Sequence, residues 1–290
     1  MAKKRITFFD IVVYLITTCL VAGVLYPLML VLSNSVSDPM YVAAGEVLLF
    51  PKGFTLDGYK AVFENKQIMI GYANTIFYTV VGTIINLLVT IPAGYALTKS
   101  FPGKNVVTSL FMIIMYFSGG LIPTFLWVNK MGLYNSRWVL LLMGAFSTYN
   151  CIICRSFFAA LPIELEEAAE IDGCNPIQTF VKIVIPLSKA LLGVMVLYFG
   201  VAHWNSYFNA MIYLKEDIKQ PLQVFLRRIL VLAESSTMIE EGGEYAMEVL
   251  QREALIRYSV IVVAALPLMV IYPFLQKYFD KGVLIGSVKG

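Results

Sequence analysis

The chain has 290 residues, of which 59% are hydrophobic and only 14% charged. Soluble domains carry about 25% charged residues, so the main solvent of this chain is lipid rather than water. A net charge of +3, with no basic patch interleaved with aromatics, excludes a nucleic-acid partner.

The first element is an uncharged run from Ile11 to Leu32, preceded by Lys3-Lys4-Arg5. It is longer than the apolar region of a signal peptide, about 7–15 residues, and no small-x-small cleavage site follows it, so it predicts a retained first span. A span needs about 20 predominantly apolar residues. Segments at approximately 10–32, 69–98, 105–128, 137–160, 184–213 and 256–276 meet that requirement. The second and fifth are long enough to tilt or to extend beyond the hydrocarbon. Pro92, Pro123 and Pro267 lie inside spans. Each frees a carbonyl that a cavity or a neighbouring helix can satisfy, or is an ordinary packing kink. The fold class is therefore all-α and integral to the membrane, with six transmembrane helices.

Polar connections separate the spans at 33–68, 99–104, 129–136, 161–183 and 214–255. The last is the longest, with Gly242-Gly243 in an acidic run and Arg227-Arg228 nearby. No internal repeat is evident, which gives no support to an inverted-repeat secondary transporter. With a cytoplasmic N-terminus, the 22 Lys and Arg residues divide evenly between the two sides. The Lys3-Lys4-Arg5 cluster beside the first span, and Lys99 and Lys104 in the shortest link, favour that orientation. Both termini and the 161–183 connection then face the cytoplasm. Arg155, near the cytoplasmic end of the fourth span, is expected to snorkel to lipid headgroups.

Cys19, Cys151, Cys154 and Cys174 read as small buried apolar residues, with no disulfide framework. His203 is the single histidine, so metal sites and Ser/His/Asp schemes lack parts. There is no Gly-x4-Gly-Lys-Ser/Thr phosphate loop. The chain is expected to bind no cofactor, and is not expected to bind ATP itself.

The connection at 161–183 holds a charged helix-forming segment. Pro162 suits a first helical turn. Glu164, Glu166 and Glu167 follow near the positive end of the helix dipole. Leu165, Ala168 and Ala169 form a small apolar face that admits close approach by another protein. Gly173 can take the left-handed conformation that ends a helix, and Asn175-Pro176 reads as the cap and first turn of the next. The product is two helices joined by a glycine corner at the membrane surface, the alternative being a generic interfacial helix.

The run Glu167-Ala168-Ala169-Glu170-Ile171-Asp172-Gly173, followed by Ile183 and Pro186 at fixed spacing, resembles the "EAA" loop of type I ABC-importer permeases. Ile185 stands in the motif's Leu place, and Cys174 where alanine is common. The resemblance implies an ATPase-coupling helix carried by Glu167, Ala168, Ala169, Asp172, Gly173 and Pro186. It also implies a homologous permease partner, two ATPase subunits that bind ATP and Mg, an extracytoplasmic solute-binding protein, and a multi-pass place in the bacterial cell membrane. Asn74-Thr75 looks like the start of the family's core. The end of the chain, from Pro273-Phe274-Leu275 to Lys289-Gly290, resembles carbohydrate-uptake permeases of the maltose and lipoprotein/polysaccharide types. Lys289 and Gly290 are then a second ATPase contact or a frayed end. The implied organisation is an N-terminal helix and outer loop over 1–68, a permease core over 69–276 and a cytoplasmic tail over 277–290.

Sugars bind aromatic faces and neutral hydrogen-bonding groups. Tyr116, Ser118, Tyr149, Asn150, Trp204, Asn205, Tyr207 and Asn209 are polar or aromatic groups within spans, so they face a wet path or serve as helix glue and interfacial belts. Asn205 and Asn209 are expected one turn apart on one helix face. Gly119-Gly120 is a close-packing or kink site. The 214–255 loop offers a docking surface for the binding protein. The expected function is ATP-driven carbohydrate import, with no enzymatic activity in this chain. Non-sugar solutes, an ion-coupled transporter and an intramembrane enzyme are the rivals.

Overall fold

A computed structural model describes residues 7–236, 256–274 and 276; among residues 232–236 only the backbone is described. The described residues are helical and contain no strand. They fall into two compact units, one comprising residues up to 69 with 225–266, the other comprising 70–224 with the residues from 267 onward.

In the first unit, α1 (Phe8–Ser35) begins where the Asp10 carboxylate accepts the Thr7 amide at 2.8 Å. Its apolar window is wholly unburied, as expected of a helix solvated by lipid. Its C-terminal end is different. Ser33, Asn34 and Ser35 are buried, and each is tied down. Ser33 Oγ donates to the Leu49 carbonyl at 2.6 Å, Asn34 Nδ2 to the Leu30 carbonyl at 2.8 Å, and Ser35 Oγ lies 2.8 Å from the Tyr59 hydroxyl. The bonds from Ser33 and Ser35 anchor the connection that carries α2 (Pro39–Ala43) and α3 (Asp57–Glu64).

The second unit is built on α4 (Lys66–Ala96), most of which it contains. Around it lie α5 (Lys104–Tyr116), α6 (Leu121–Lys130), α7 (Arg137–Met143), α8 (Thr148–Ala159) and α9 (Glu164–Ile171). Next come α10 (Pro176–Thr179), a π-helical turn (Phe180–Val184), α11 (Ile185–Leu187), α12 (Lys189–Trp204) and α13 (Phe208–Tyr213). α14 (Leu222–Ser236) and α15 (Ile256–Phe274) complete the described helices. Two buried clusters sit at successive levels of α4. Tyr78 packs with Val139, Leu141, Ala210 and Tyr213. Further along, Ile91 and Tyr95 pack with Cys154, Phe158, Met195 and Phe199.

Several expectations are corrected. Among the described residues, only α1, α4 and α15 are single helices long and apolar enough to cross a membrane. The third predicted span is α5 and α6, bent by 115°; Gly120 at φ 83° makes that turn, and only glycine adopts such a backbone without strain. The fourth is α7 and α8, bent by 43°, and the fifth contains an 82° bend between residues 187 and 189. The fifth helix also stops at Trp204, so Asn205 is its cap and not part of a continuous face with Asn209. The polar connection from 214 is helical over α14, whose Leu222, Val224, Phe225 and Leu226 are buried. Gly242-Gly243, Lys289 and Gly290 lie outside the described residues. Cys151 and Cys154 are buried as expected, but Cys19 is exposed on α1.

Candidate functional site

The connection after α8 folds by local rules. α9 carries Glu164, Glu166 and Glu167 in its first turn, which suits the positive end of its dipole. It starts two residues later than Pro162 predicts, because Ile163 occupies the cap position with no capping side chain. Gly173 has φ 79°. There the Gly173 and Cys174 amides donate to the Glu170 and Ala169 carbonyls at 3.0 and 2.9 Å, closing the helix. Asn175 then opens α10. Its side chain accepts the Gln178 amide at 2.8 Å, Gln178 accepts the Asn175 amide at 3.0 Å, and Pro176 fills the first turn. This capping box is the one local device at the corner that Asn175-Pro176 alone does not disclose.

The corner presents apolar groups to the outside. Ile171 is 87% exposed, Ile177 75% and Ile163 64%. Ala168 and Gly173 share this open surface. Ala169 does not: at 2% exposure it is turned into the chain, so its small size serves internal packing. Ahead of Pro186 the π-helical turn absorbs a change of register. Ser188 Oγ donates to the Val184 carbonyl at 2.7 Å at the bend leading into α12.

Contacts invisible to sequence reading fasten this loop to α4. Lys99, just past the end of α4, forms an ion pair with Glu166. The same ammonium lies 4.6 Å from the centre of the Tyr95 ring. Burial pulls Lys99 below the ordinary lysine range, and the charge of Glu170 pulls the other way. Tyr95 stacks on Phe180 with centroids 4.9 Å apart and meets Phe158 edge-on at 5.7 Å. The α9–α10 corner is thus tied to the end of α4 by a charge pair and an aromatic stack, and runs into α12 through residue 188.

The predicted path residues gather at the helix interruptions. Tyr116 ends α5 and Ser118 lies in the α5–α6 break, where its Oγ accepts the Gly120 amide at 3.3 Å. Tyr149 and Asn150 stand in the first turn of α8, with Tyr149 exposed and Asn150 buried. Asn205, Tyr207 and Asn209 follow the end of α12. Asn205 Oδ1 accepts from Gln223 at 3.5 Å, and Tyr207 packs edge-on against Phe208. Trp204 is buried edge-on against Tyr72 and borders an almost wholly apolar cavity of about 530 Å3. Asn86 was not singled out by sequence. It donates to the Gly144 carbonyl at the α7–α8 break and accepts from His203 Nε2 at 2.6 Å near the end of α12. Because its Oδ1 can only accept, Nε2 carries the proton.

Asn74 and Thr75 organise the segment after α13. Asn74 Nδ2 donates to the Ile218 and Gln220 carbonyls at 2.8 and 3.0 Å, and Thr75 Oγ1 accepts the Leu222 amide at 2.8 Å. Tyr78 donates to the Lys219 carbonyl at 2.7 Å. Asn135, at φ 56°, accepts the Lys215 and Glu216 amides and donates to the Glu216 carboxylate. Hydrogen bonds from Lys219 first, and from Asn135 second, hold Glu216 below the ordinary glutamate range.

Long and broken apolar helices, with an acidic glycine-cornered hairpin between them, define a helical membrane protein. Residues 68–285 match the family described as "binding-protein-dependent transport system inner membrane component", and the chain belongs to that family. It is 41% identical over 265 residues to protein LplC of Bacillus subtilis (strain 168), covering 91% of this chain and 89% of that one. It is 37% identical over 289 residues to the polygalacturonan/rhamnogalacturonan transport system permease protein YtcP of the same organism, covering 99% and 100%. A solved bacterial ABC transporter involved in the import of the acidic polysaccharide alginate has a chain that matches with a TM-score of 0.85 and 33% identity, covering 96% of this chain and 99% of that one. The chain is accordingly an inner-membrane permease subunit of an ABC importer.

Proposed function

We propose that this chain lines the path of an ATP-driven importer for an oligosaccharide or polysaccharide. The cargo is inferred from the two relatives whose names specify polysaccharides, together with the aromatic and neutral polar groups gathered at the helix breaks. Six crossings are inferred, formed by α1, α4, α5 with α6, α7 with α8, α10 to α12, and α15. The Lys3-Lys4-Arg5 cluster and the lysines at 99 and 104 favour a cytoplasmic place for both termini and for the α9–α10 corner. A second homologous permease completes the path. An extracytoplasmic binding protein delivers the solute, and two ATPase subunits, holding ATP and Mg, engage the corner.

The reading is carried by one observation: a rigidly capped hairpin whose outermost groups are Ile171, Ile177 and Ile163. Such side chains in water are unfavourable unless another surface covers them. Closure of the ATPase pair would push α9. The Lys99–Glu166 pair and the Tyr95–Phe180 stack would then tilt α4, while the bend at residue 188 redirects α12. In that scheme Glu167, Ala168, Asp172 and Gly173 form the engaged face, Ala169 packs beneath it, and Pro186 marks the flexible joint.

A cysteine introduced as Ala168→Cys in the assembled importer tests the contact. It should crosslink to an ATPase subunit, and the yield should change when a nucleotide analogue closes the ATPase pair. Crosslinking to no partner, with labelling only by lipid-soluble reagents, would remove the coupling role.

A further inference from the structure

We propose that a pocket between α5 and α8 binds the headgroup of an anionic phospholipid, with its acyl chains running along the inner half of the pocket. The pocket encloses about 480 Å3. Its α5 wall consists of Lys104, Asn105, Thr108, Ser109, Met112 and Ile113, and Arg155 of α8 closes the other side. The α5 positions recur at spacings of one and three residues, so they form a single helix face. That face is graded. A cation and an amide come first, two hydroxyls next, and two apolar side chains last.

The gradient has the dimensions of a lipid. At 1.5 Å per residue, the nine steps from Lys104 to Ile113 cover roughly 13 Å. The polar layer on each side of a bilayer is about 5–8 Å deep, so such a face reaches from headgroup level into hydrocarbon. Its charge is also unmatched. Among the described residues, no Asp or Glu lines the pocket, and Lys104 Nζ is held only by the Thr98 carbonyl, at 3.2 Å. Arg155 makes no hydrogen bond or ion pair among the described residues. Two cations at a membrane boundary, without acids beside them, call for an anion. A free phosphate or a sugar acid would satisfy the cations but leave Met112 and Ile113 unused, whereas a phospholipid uses both ends. The topology proposed above puts this pocket in the cytoplasmic leaflet, where anionic lipids are concentrated.

The experiment is native mass spectrometry of the importer containing the full chain, released from detergent after equilibration with equal amounts of phosphatidylglycerol and phosphatidylcholine. Two basic groups near the lipid surface should give a preference of roughly tenfold or more for phosphatidylglycerol. Lys104→Gln with Arg155→Gln should abolish that preference, and Lys104→Arg with Arg155→Lys should keep it. Equal retention of both lipids by the unaltered protein would overturn the proposal, whether or not the glutamine variant assembles. So would an undiminished preference in that variant, or displacement of the lipid by millimolar inorganic phosphate, which would mark a free-anion site. The measurement does not depend on which side faces the cytoplasm, so its failure is distinct from failure of the topology.

Discussion

Asn86 bridges two places where the backbone of a spanning segment is interrupted. A carbonyl freed by a helix break has no water to turn to inside a bilayer. The Asn86 amide caps the Gly144 carbonyl and holds His203 at the same time. Small residues make the approach possible: a Cβ at Gly82 would stand 2.5 Å from the His203 ring. Asn86→Ala would leave the histidine and the carbonyl unpaired together. Each buried unpaired group costs about 1–3 kcal/mol in water-soluble proteins, and side-chain bonds within membranes average nearer 0.6. The expected loss is therefore roughly 1–3 kcal/mol, read as a lower midpoint of thermal unfolding in detergent. An unchanged midpoint would show that the clasp contributes nothing. The sequence offered no route to this pair. The partners are separated by 117 positions, and their meeting depends on how α4 and α12 pack. Gly173 was legible for the opposite reason, since its left-handed turn is settled by the residues on either side of it.

The α9–Gly173–α10 corner is the element on which coupling depends in the proposed mechanism. A Cβ at Gly173 would meet nothing within 4 Å, so a larger side chain there is opposed by backbone conformation and not by collision. Forcing a left-handed residue with a Cβ costs about 1–2 kcal/mol, and a β-branched side chain adds to it. Gly173→Val should therefore leave insertion and subunit assembly intact while shifting the angle between the two helices. Solute carried per ATP hydrolysed is expected to fall several-fold in reconstituted vesicles, and a wild-type ratio would count heavily against the lever. The apolar helices were legible in position but not in shape. Hydrophobic runs reveal where lipid is the solvent, because they average over about 20 residues. The 115° turn between α5 and α6 occupies only residues 117–120, too short to disturb that average. Gly119-Gly120 signalled a kink or a close contact, and the backbone realises the kink.

At the scale of the whole molecule, the question is where the energy for transport enters. Helices α4 to α8, α12, α13 and α15 contain no Asp or Glu. Ion-coupled carriers hold carboxylates or other ionisable groups within their spans, since a proton or cation must be bound and released there. His203 is the one histidine, and its Nε2 is already engaged by Asn86. The acids of this part of the chain are concentrated instead at α9, on an exposed surface. In the proposed mechanism the chain receives work mechanically at one hairpin and does not harvest a gradient along its path. In vesicles containing the complete importer and its binding protein, uptake should require ATP on the side bearing the α9–α10 corner. It should persist at an undiminished initial rate when ionophores collapse the proton and sodium gradients. Uptake driven by an imposed ion gradient without ATP would contradict this arrangement, as would its loss on ionophore addition while ATP hydrolysis continued.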